Sequence, residues 1–195
     1  DLMPADITGT SVFNLKENEF KLVKGPVFTS FLLADEINRT SPKTQSALLE
    51  AMEEKQVSAE GVTRALPAPF FVLATQNPRE QSGTNALPES QLDRFLMRLS
   101  LGYPDAQAER LLLSGVDMRL KIENLPAVMT PLTLAKIQQQ VLSVHASESL
   151  LDYLQQVIAA TRSGQWFVQG LSPRTGIVLL RAAKAYALVH GRDFV

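Results

Sequence analysis

FTSFLLADEINR, residues 28–39, decides how the rest of the chain is read. Four apolar residues, Phe31, Leu32, Leu33 and Ala34, run directly into two acids, Asp35 and Glu36. A short apolar run bounded by polar residues reads as a strand buried on both faces, the pattern of a parallel sheet. Open α/β sheets bind ligands beyond the C-terminal ends of their strands, which is where the acid pair falls. A buried carboxylate is costly unless it holds a cation or does chemistry. Alone, the dipeptide reads better as a strand ending at a solvated acidic turn; the surrounding chain changes that balance.

A second apolar run, Phe70–Ala74, also ends in polar residues, Thr75, Gln76 and Asn77, before Pro78 stops it. Two such strands side by side would bring Asp35, Glu36 and Asn77 within reach of one ligand. Around them the pattern predicts a hairpin from Ser11–Leu15 and Phe20–Lys24, turning at residues 16–19, and a second from Gln56–Ser58 and Val62–Arg64. Ser41-Pro42 opens a helix with Ala47, Leu48, Ala51 and Met52 on one stripe. Residues 79–86 read as a polar loop, Pro88 opens a short helix reaching Asp93-Arg94-Phe95, and Leu96–Leu101 alternates like a strand. Beyond a boundary at Gly102-Tyr103-Pro104 the chain reads as helical: a helix over Asp105–Leu113, an irregular stretch, one capped by Thr133, one capped by Ser147, and a last one from Ser172-Pro173 to about His190. The expected organisation is an α/β unit over residues 1–102 and an all-helical unit over 103–195.

Composition narrows the chemistry. The chain has 195 residues, 45% of them hydrophobic and 20% charged, which fits a protein with a real core. A formal net charge of −1 gives no electrostatic case for nucleic acid or an anionic membrane. No apolar run approaches the roughly 18–20 residues of a membrane span. Cysteine is absent, which excludes disulfides, zinc–thiolate sites and thiol catalysis and is compatible with a cytoplasmic protein. The chain starts at Asp1 without a Met, and the expectation is a piece of a longer protein.

Each candidate has a plain alternative. An Asp at the end of such a strand holds Mg²⁺ on the nucleotide in P-loop NTPases, and a neighbouring Glu can activate a water. Asn77 could orient that water; equally it is a turn-former before proline. Arg94 could reach a neighbouring subunit's phosphate or complement the C-terminal end of its short helix, with Arg98 a weaker candidate. Arg174 stands in the first turn of the last helix, where the dipole disfavours a cation by about 0.3–1 kcal/mol. An anion there would remove the penalty, as would a salt bridge. His145 and His190 lack a second ligand at metal spacing and read as structural or surface residues. Tyr103, Trp166 and Phe167 read as packing.

Together the motifs resemble the MoxR-type AAA+ ATPases along nearly the whole chain. LLADEINR (32–39) is similar to their Walker B segment and is followed by their characteristic KTQSALLEAMEE (43–54); ATQNP (74–78) is similar to sensor 1, LPESQLDRF (87–95) to the segment carrying the arginine finger, and SPRTG (172–176) to sensor 2 on a helical lid. The resemblance implies a partial AAA+ α/β core with two β-hairpin inserts and a helical lid. It implies that Asp35 helps hold Mg²⁺, Glu36 polarises the attacking water, and Asn77 positions it or senses the γ-phosphate. It implies that Arg94 acts in trans within a homo-oligomeric ring, usually a hexamer, and that Arg174 contacts ATP from the lid. The family is associated with chaperone-like maturation of protein clients, often alongside von Willebrand factor A domain partners.

One element of the family pattern is missing. No G-x-x-x-x-G-K-[ST] occurs in the 195 residues, and Ser41-Pro42-Lys43-Thr44 has no preceding glycine. That loop supplies the phosphate cradle, its Lys and a Mg²⁺-binding hydroxyl. The expectation is a P-loop upstream of Asp1, with the chain alone inactive. Two other readings stay open at this point: a relative of MCM-like helicases, which the near-neutral charge and non-basic hairpin tips disfavour, and a non-hydrolysing scaffold.

Overall fold

The structure, a computed structural model, describes all residues except 1, 60, 78–82, 116–121, 123 and 166. Helix α1 (Pro4–Thr8) leads into the hairpin β1 (Gly9–Asn14) and β2 (Glu19–Lys24), paired from Gly9↔Lys24 to Asn14↔Glu19. The hairpin thus begins two residues earlier than expected, and Phe13 meets Phe20 across the strands with ring centroids 5.1 Å apart. Strand β3 (Phe31–Ala34) pairs in parallel with β6 (Phe71–Ala74), in register Phe31↔Phe71 through Ala34↔Ala74. Between them the chain forms a 3₁₀ turn (Ile37–Arg39), helix α2 (Pro42–Glu54) and the hairpin β4 (Gln56–Ala59) and β5 (Val62–Ala65).

Helix α2 starts where the sequence predicts. Pro42 occupies the first turn, and the Ser41 hydroxyl accepts the Thr44 N–H at 3.3 Å. Its buried face is Thr44, Gln45, Leu48, Leu49 and Ala51. Leu49 was outside the expected stripe yet is fully covered, while Ala47 and Met52 are half-buried. The helix serves two small cores. Ile37, Leu48, Leu49 and Leu87 pack with Leu32, Ala34, Val72 and Ala74 of the parallel pair. Ala51 joins Val27, Val57 and Leu66, beneath the second hairpin.

The strands are not buried on both faces, contrary to the expectation. Phe31, Leu33, Phe71 and Leu73 point away from α2; Phe31 is 57% and Phe71 52% exposed, their rings stacked at 5.4 Å. An apolar run encodes two apolar faces, but only one has a covering layer among the described residues. The expected strand at Leu96–Leu101 does not form either. Alternation without an adjacent strand edge earns no ladder hydrogen bonds, and Leu101 stands 98% exposed.

The remaining helices are α3 (Glu89–Leu92), α4 (Ala106–Leu113), α5 (Pro131–Ser143), α6 (Glu148–Arg162) and α7 (Pro173–Val189). Helix α5 is capped by Thr130, not Thr133: Pro131 takes the first helical position, and the Thr130 hydroxyl accepts the Thr133 N–H at 3.1 Å. Ser147 and Ser172 cap α6 and α7 as expected. Gly176 lets α7 approach α6, since a Cβ there would lie 2.5 Å from Ile158 Cδ1. His145 pairs through its backbone with Asp193 and Val195, and His190 Nδ1 lies 2.9 Å from the Tyr186 carbonyl; both residues are exposed. Tyr103 and Phe167 are mostly exposed, so neither is the buried packing residue expected. Trp166, Pro78 and residues 79–82, the first half of the polar loop, lie outside the described residues.

One residue seats α7 on the α/β part. Asp93, just past α3, accepts the Ser172 hydroxyl and the Thr175 hydroxyl, each at 2.6 Å. Ser172 passes the polarity on by accepting the Thr175 N–H at 3.2 Å. These two hydroxyl bonds, with a smaller contribution from the Arg174 charge, hold the Asp93 carboxyl below its ordinary range, and partial desolvation opposes them. A carboxylate with a lowered folded-state pKa contributes stability above its unfolded pKa and loses it as pH falls through the folded one.

Two measurements check this packing. Asp93→Asn should cost about 1 kcal/mol of unfolding free energy at pH 7, the worth of hydrogen bonds to a solvent-screened charge. The gap to wild type should close as pH falls below the ordinary carboxylate range. Leu49→Ala should cost about 2–5 kcal/mol in denaturant unfolding.

Candidate functional site

The register Ala34↔Ala74 places the residues following β3 and β6 side by side. The ladder continues one step further, with Thr75 N–H donating to the Ala34 carbonyl at 3.0 Å and Ile37 N–H to the Thr75 carbonyl at 3.0 Å. In this corner the Thr75 hydroxyl donates to Asp35 Oδ1 at 2.5 Å and accepts the Glu36 N–H at 2.9 Å. One hydroxyl therefore fixes both acids. Glu36 is left-handed, φ 49° and ψ 48°, a conformation costing a non-glycine residue about 1–2 kcal/mol. Such strain collects where a side chain must be aimed. The Glu36 carboxylate accepts from Arg39 Nη1 at 3.1 Å. Asn77 lies two residues beyond Thr75 at the same end of β6, half-buried.

Gln45 holds this corner from beneath. It is almost fully buried on α2, and its Nε2 lies within hydrogen-bonding distance of the carbonyls of Ile37 (3.2 Å), Thr40 (3.3 Å) and Asn85 (2.9 Å). Asn85 in turn donates to the Thr40 carbonyl at 3.0 Å. The turn that carries the acids is thus pinned to α2 and to the segment after Gly83. Sequence reasoning missed Thr75 and Gln45. Thr75 was legible as a polar residue at a strand end, but its role needs the parallel register; Gln45 needs the knowledge that its helix face is buried.

The two arginines gather elsewhere. Arg94 Nε lies 3.2 Å from Glu53 Oε2, and Arg174 Nη2 donates to Glu53 Oε1. Arg174 is thus the salt-bridged alternative: the carboxylate of Glu53, 121 residues away in sequence, meets the cation at the start of α7. Glu53 follows Gln45 by eight residues on one helix, so it stands roughly 12 Å further along the axis than the pin beneath the acid corner. The structure therefore divides the predicted residues into an acid corner with Asp35, Glu36 and Asn77, and an arginine pair with Arg94 and Arg174. Arg98 is bound into neither group by any described contact. A cavity of about 570 Å³ opens beside Glu53 and Arg94, not at the acid corner, with Glu50, Glu54, Ser46 and Ser90 also in its lining.

The acid corner suits a hydrated divalent cation carried on a nucleotide. Such Mg²⁺ ions take one or two carboxylates and complete their shell with water and phosphate oxygens. Thr75 occupies one oxygen of Asp35 and leaves Oδ2 without a described partner. No cluster of three or more acids and histidines that could hold a metal unaided occurs among the described residues. The residues fit the metal side of a nucleotide site; the phosphate cradle is not among the 195. Among the described residues no helix is long and apolar enough to cross a membrane.

Comparison with known proteins matches both parts of the chain. Residues 1–97 match the ATPase family associated with various cellular activities (AAA), and residues 159–195 match the AAA lid domain. The uncharacterized protein YeaC of Bacillus subtilis is 49% identical over all of this chain and 61% of its own length. The chaperone MoxR1 of Mycobacterium tuberculosis is 40% identical over all of this chain and 54% of its own length. A crystal structure of a Cytophaga hutchinsonii protein superposes with a TM-score of 0.84 at 40% identity, covering 100% of this chain and 62% of its own. The chain thus spans between about half and two thirds of the length of these relatives. With a matched α/β part, a matched lid and relatives that align from its first residue to its last, the chain belongs to the MoxR-type AAA+ ATPases.

Proposed function

We propose that this chain supplies the hydrolytic corner and the lid of an ATP-hydrolysing protein that remodels protein partners. The observation that carries the reading is the single Thr75 hydroxyl holding Asp35 and the Glu36 backbone together at the ends of two parallel strands. Asp35, with its second oxygen open, would hold Mg²⁺. The metal supplies charge neutralisation at the phosphates and a template for their orientation. Glu36, aimed by its left-handed backbone, accepts a proton from the attacking water. Arg39 Nη1 donates to the Glu36 carboxylate and so restrains its side chain. Asn77, at the end of the neighbouring strand, orients that water.

Arg94 and Arg174 stabilise phosphate charge from the opposite end of α2. That separation supports an Arg94 that serves a neighbouring copy in a homo-oligomeric ring, a hexamer by family resemblance. The working division is an α/β unit over 1–102 and a helical lid over 103–195, joined at Asp93 and Glu53. The similarity to the chaperone MoxR1 supports protein clients; partners with von Willebrand factor A domains and a cytoplasmic location extend the same reading. The P-loop that completes the site would come from sequence outside these residues.

Two outcomes test the reading. In the whole protein, Glu36→Gln should retain ATP binding while turnover falls by roughly 10²–10⁴-fold, the range for loss of a general base. Unchanged turnover would remove Glu36 from the chemistry. The 195-residue chain by itself should neither bind ATP stoichiometrically nor hydrolyse it, which calorimetry and phosphate release would check.

A further inference from the structure

Glu53 lies in the helical stretch 43–54, to which the resemblance assigns no nucleotide role, yet it is the meeting point of two residues that have one. Its two carboxylate oxygens are used separately, Oε2 by Arg94 at 3.2 Å and Oε1 by Arg174. The two guanidiniums come from distant elements, one just past α3 and one in the first turn of α7. A carboxylate spans only about 2.2 Å between its oxygens, so both cations are brought to one place. Two like charges would otherwise repel; the shared anion between them removes that cost.

Arg94 approaches Glu53 through Nε and Arg174 through Nη2. A guanidinium carries five N–H donors in a rigid plane, and no hydrogen bond from either guanidinium to another described residue accompanies these contacts. The Arg94, Arg174 and Glu53 side chains keep about a third or more of their surface exposed. A planar donor group fixed along one edge presents its remaining edge in a set direction, the arrangement that recognises phosphate. The α7 seat works to the same end: Asp93 adjoins Arg94, while Ser172 and Thr175 bracket Arg174, so the Asp93 bonds fix the backbones from which both arginines extend.

We infer that Glu53 is a positioning residue, which gathers Arg94 and Arg174 into one fork directed at a single phosphate group. This inference rests on the proposed nucleotide role of the two arginines. Glu53 does not touch the phosphate; it acts by holding both guanidiniums in advance, so that less ordering is needed when the anion arrives. It also makes the arginines interdependent, since loss of either changes how Glu53 holds the other.

The test uses the whole protein and a non-hydrolysable ATP analogue, with affinity measured by calorimetry and turnover measured alongside. Glu53→Gln should weaken analogue binding by about 3–10-fold and lower kcat by about tenfold, magnitudes expected for loss of orientation without loss of the contacting groups. Glu53→Asp, which keeps the charge on a shorter stem, should recover part of both. In an Arg94→Ala/Arg174→Ala background, Glu53→Gln should change analogue affinity by less than about twofold, because the groups it positions are gone. Thermal midpoints of all variants report whether the fold is kept. The inference is overturned if Glu53→Gln leaves affinity and kcat at wild-type values while Arg94→Ala and Arg174→Ala impair them. An equal loss of affinity with and without the arginines overturns it too, since that marks a general structural role. If Arg94→Ala and Arg174→Ala themselves leave binding and turnover intact, the nucleotide reading of the arginines falls first, and the role of Glu53 falls with it.

Discussion

The arrangement depends on parallel pairing between two four-residue strands. Because Ala34 sits opposite Ala74, the next residues on each strand are neighbours, and the Thr75 hydroxyl reaches both Asp35 and the Glu36 N–H. A slip of one residue would turn Thr75 to the other face of the sheet and leave the acids without that partner. The register is fixed from one side only, by the apolar contacts of Leu32, Ala34, Val72 and Ala74 with α2. The opposite face, with Phe31 stacked on Phe71, contributes contact between the strands but no covering layer among the described residues.

Helix α2 links the packing to the chemistry. Near its N-terminal end Gln45 pins the acid-bearing turn, and near its C-terminal end Glu53 receives the arginines. A helix of 13 residues held by Leu48, Leu49 and Ala51 is stiff over this length, so the two groups keep a set separation. A change in how the last helix sits, transmitted through Glu53, would be felt on the same helix that pins the acid-bearing turn through Gln45. That connection is mechanical as well as electrostatic, because Glu53 and Gln45 share one hydrogen-bonded backbone.

Much of this was legible in the sequence where local chemistry is decisive. Ser41-Pro42, Ser147 and Ser172-Pro173 announce helix starts, and the two polar-tipped hairpins announce themselves by alternation. The acid pair, the polar exit of the second strand and the two arginines could all be named. What could not be read was which of them share a site. Arg94 and Arg174 are 80 positions apart, and only the tertiary structure brings both to Glu53, a residue whose place in a run of glutamates makes it look like solvated surface. Thr75 was overlooked for a related reason, since its value lies in a register that two short apolar runs do not specify. The strand expected at Leu96–Leu101 failed because alternation states a preference and cannot supply a partner. Thr133 lost the cap to Thr130 because proline at the first helical position outranks a second hydroxyl downstream.

The most direct measurement is a structure of the whole protein with Mg²⁺ and a non-hydrolysable ATP analogue. The account predicts the metal beside Asp35, the Thr75 hydroxyl still bonded to that carboxylate, and Glu36 facing the terminal phosphate. A nucleotide bound away from the ends of β3 and β6, with Asp35 and Glu36 turned to solvent, would contradict it.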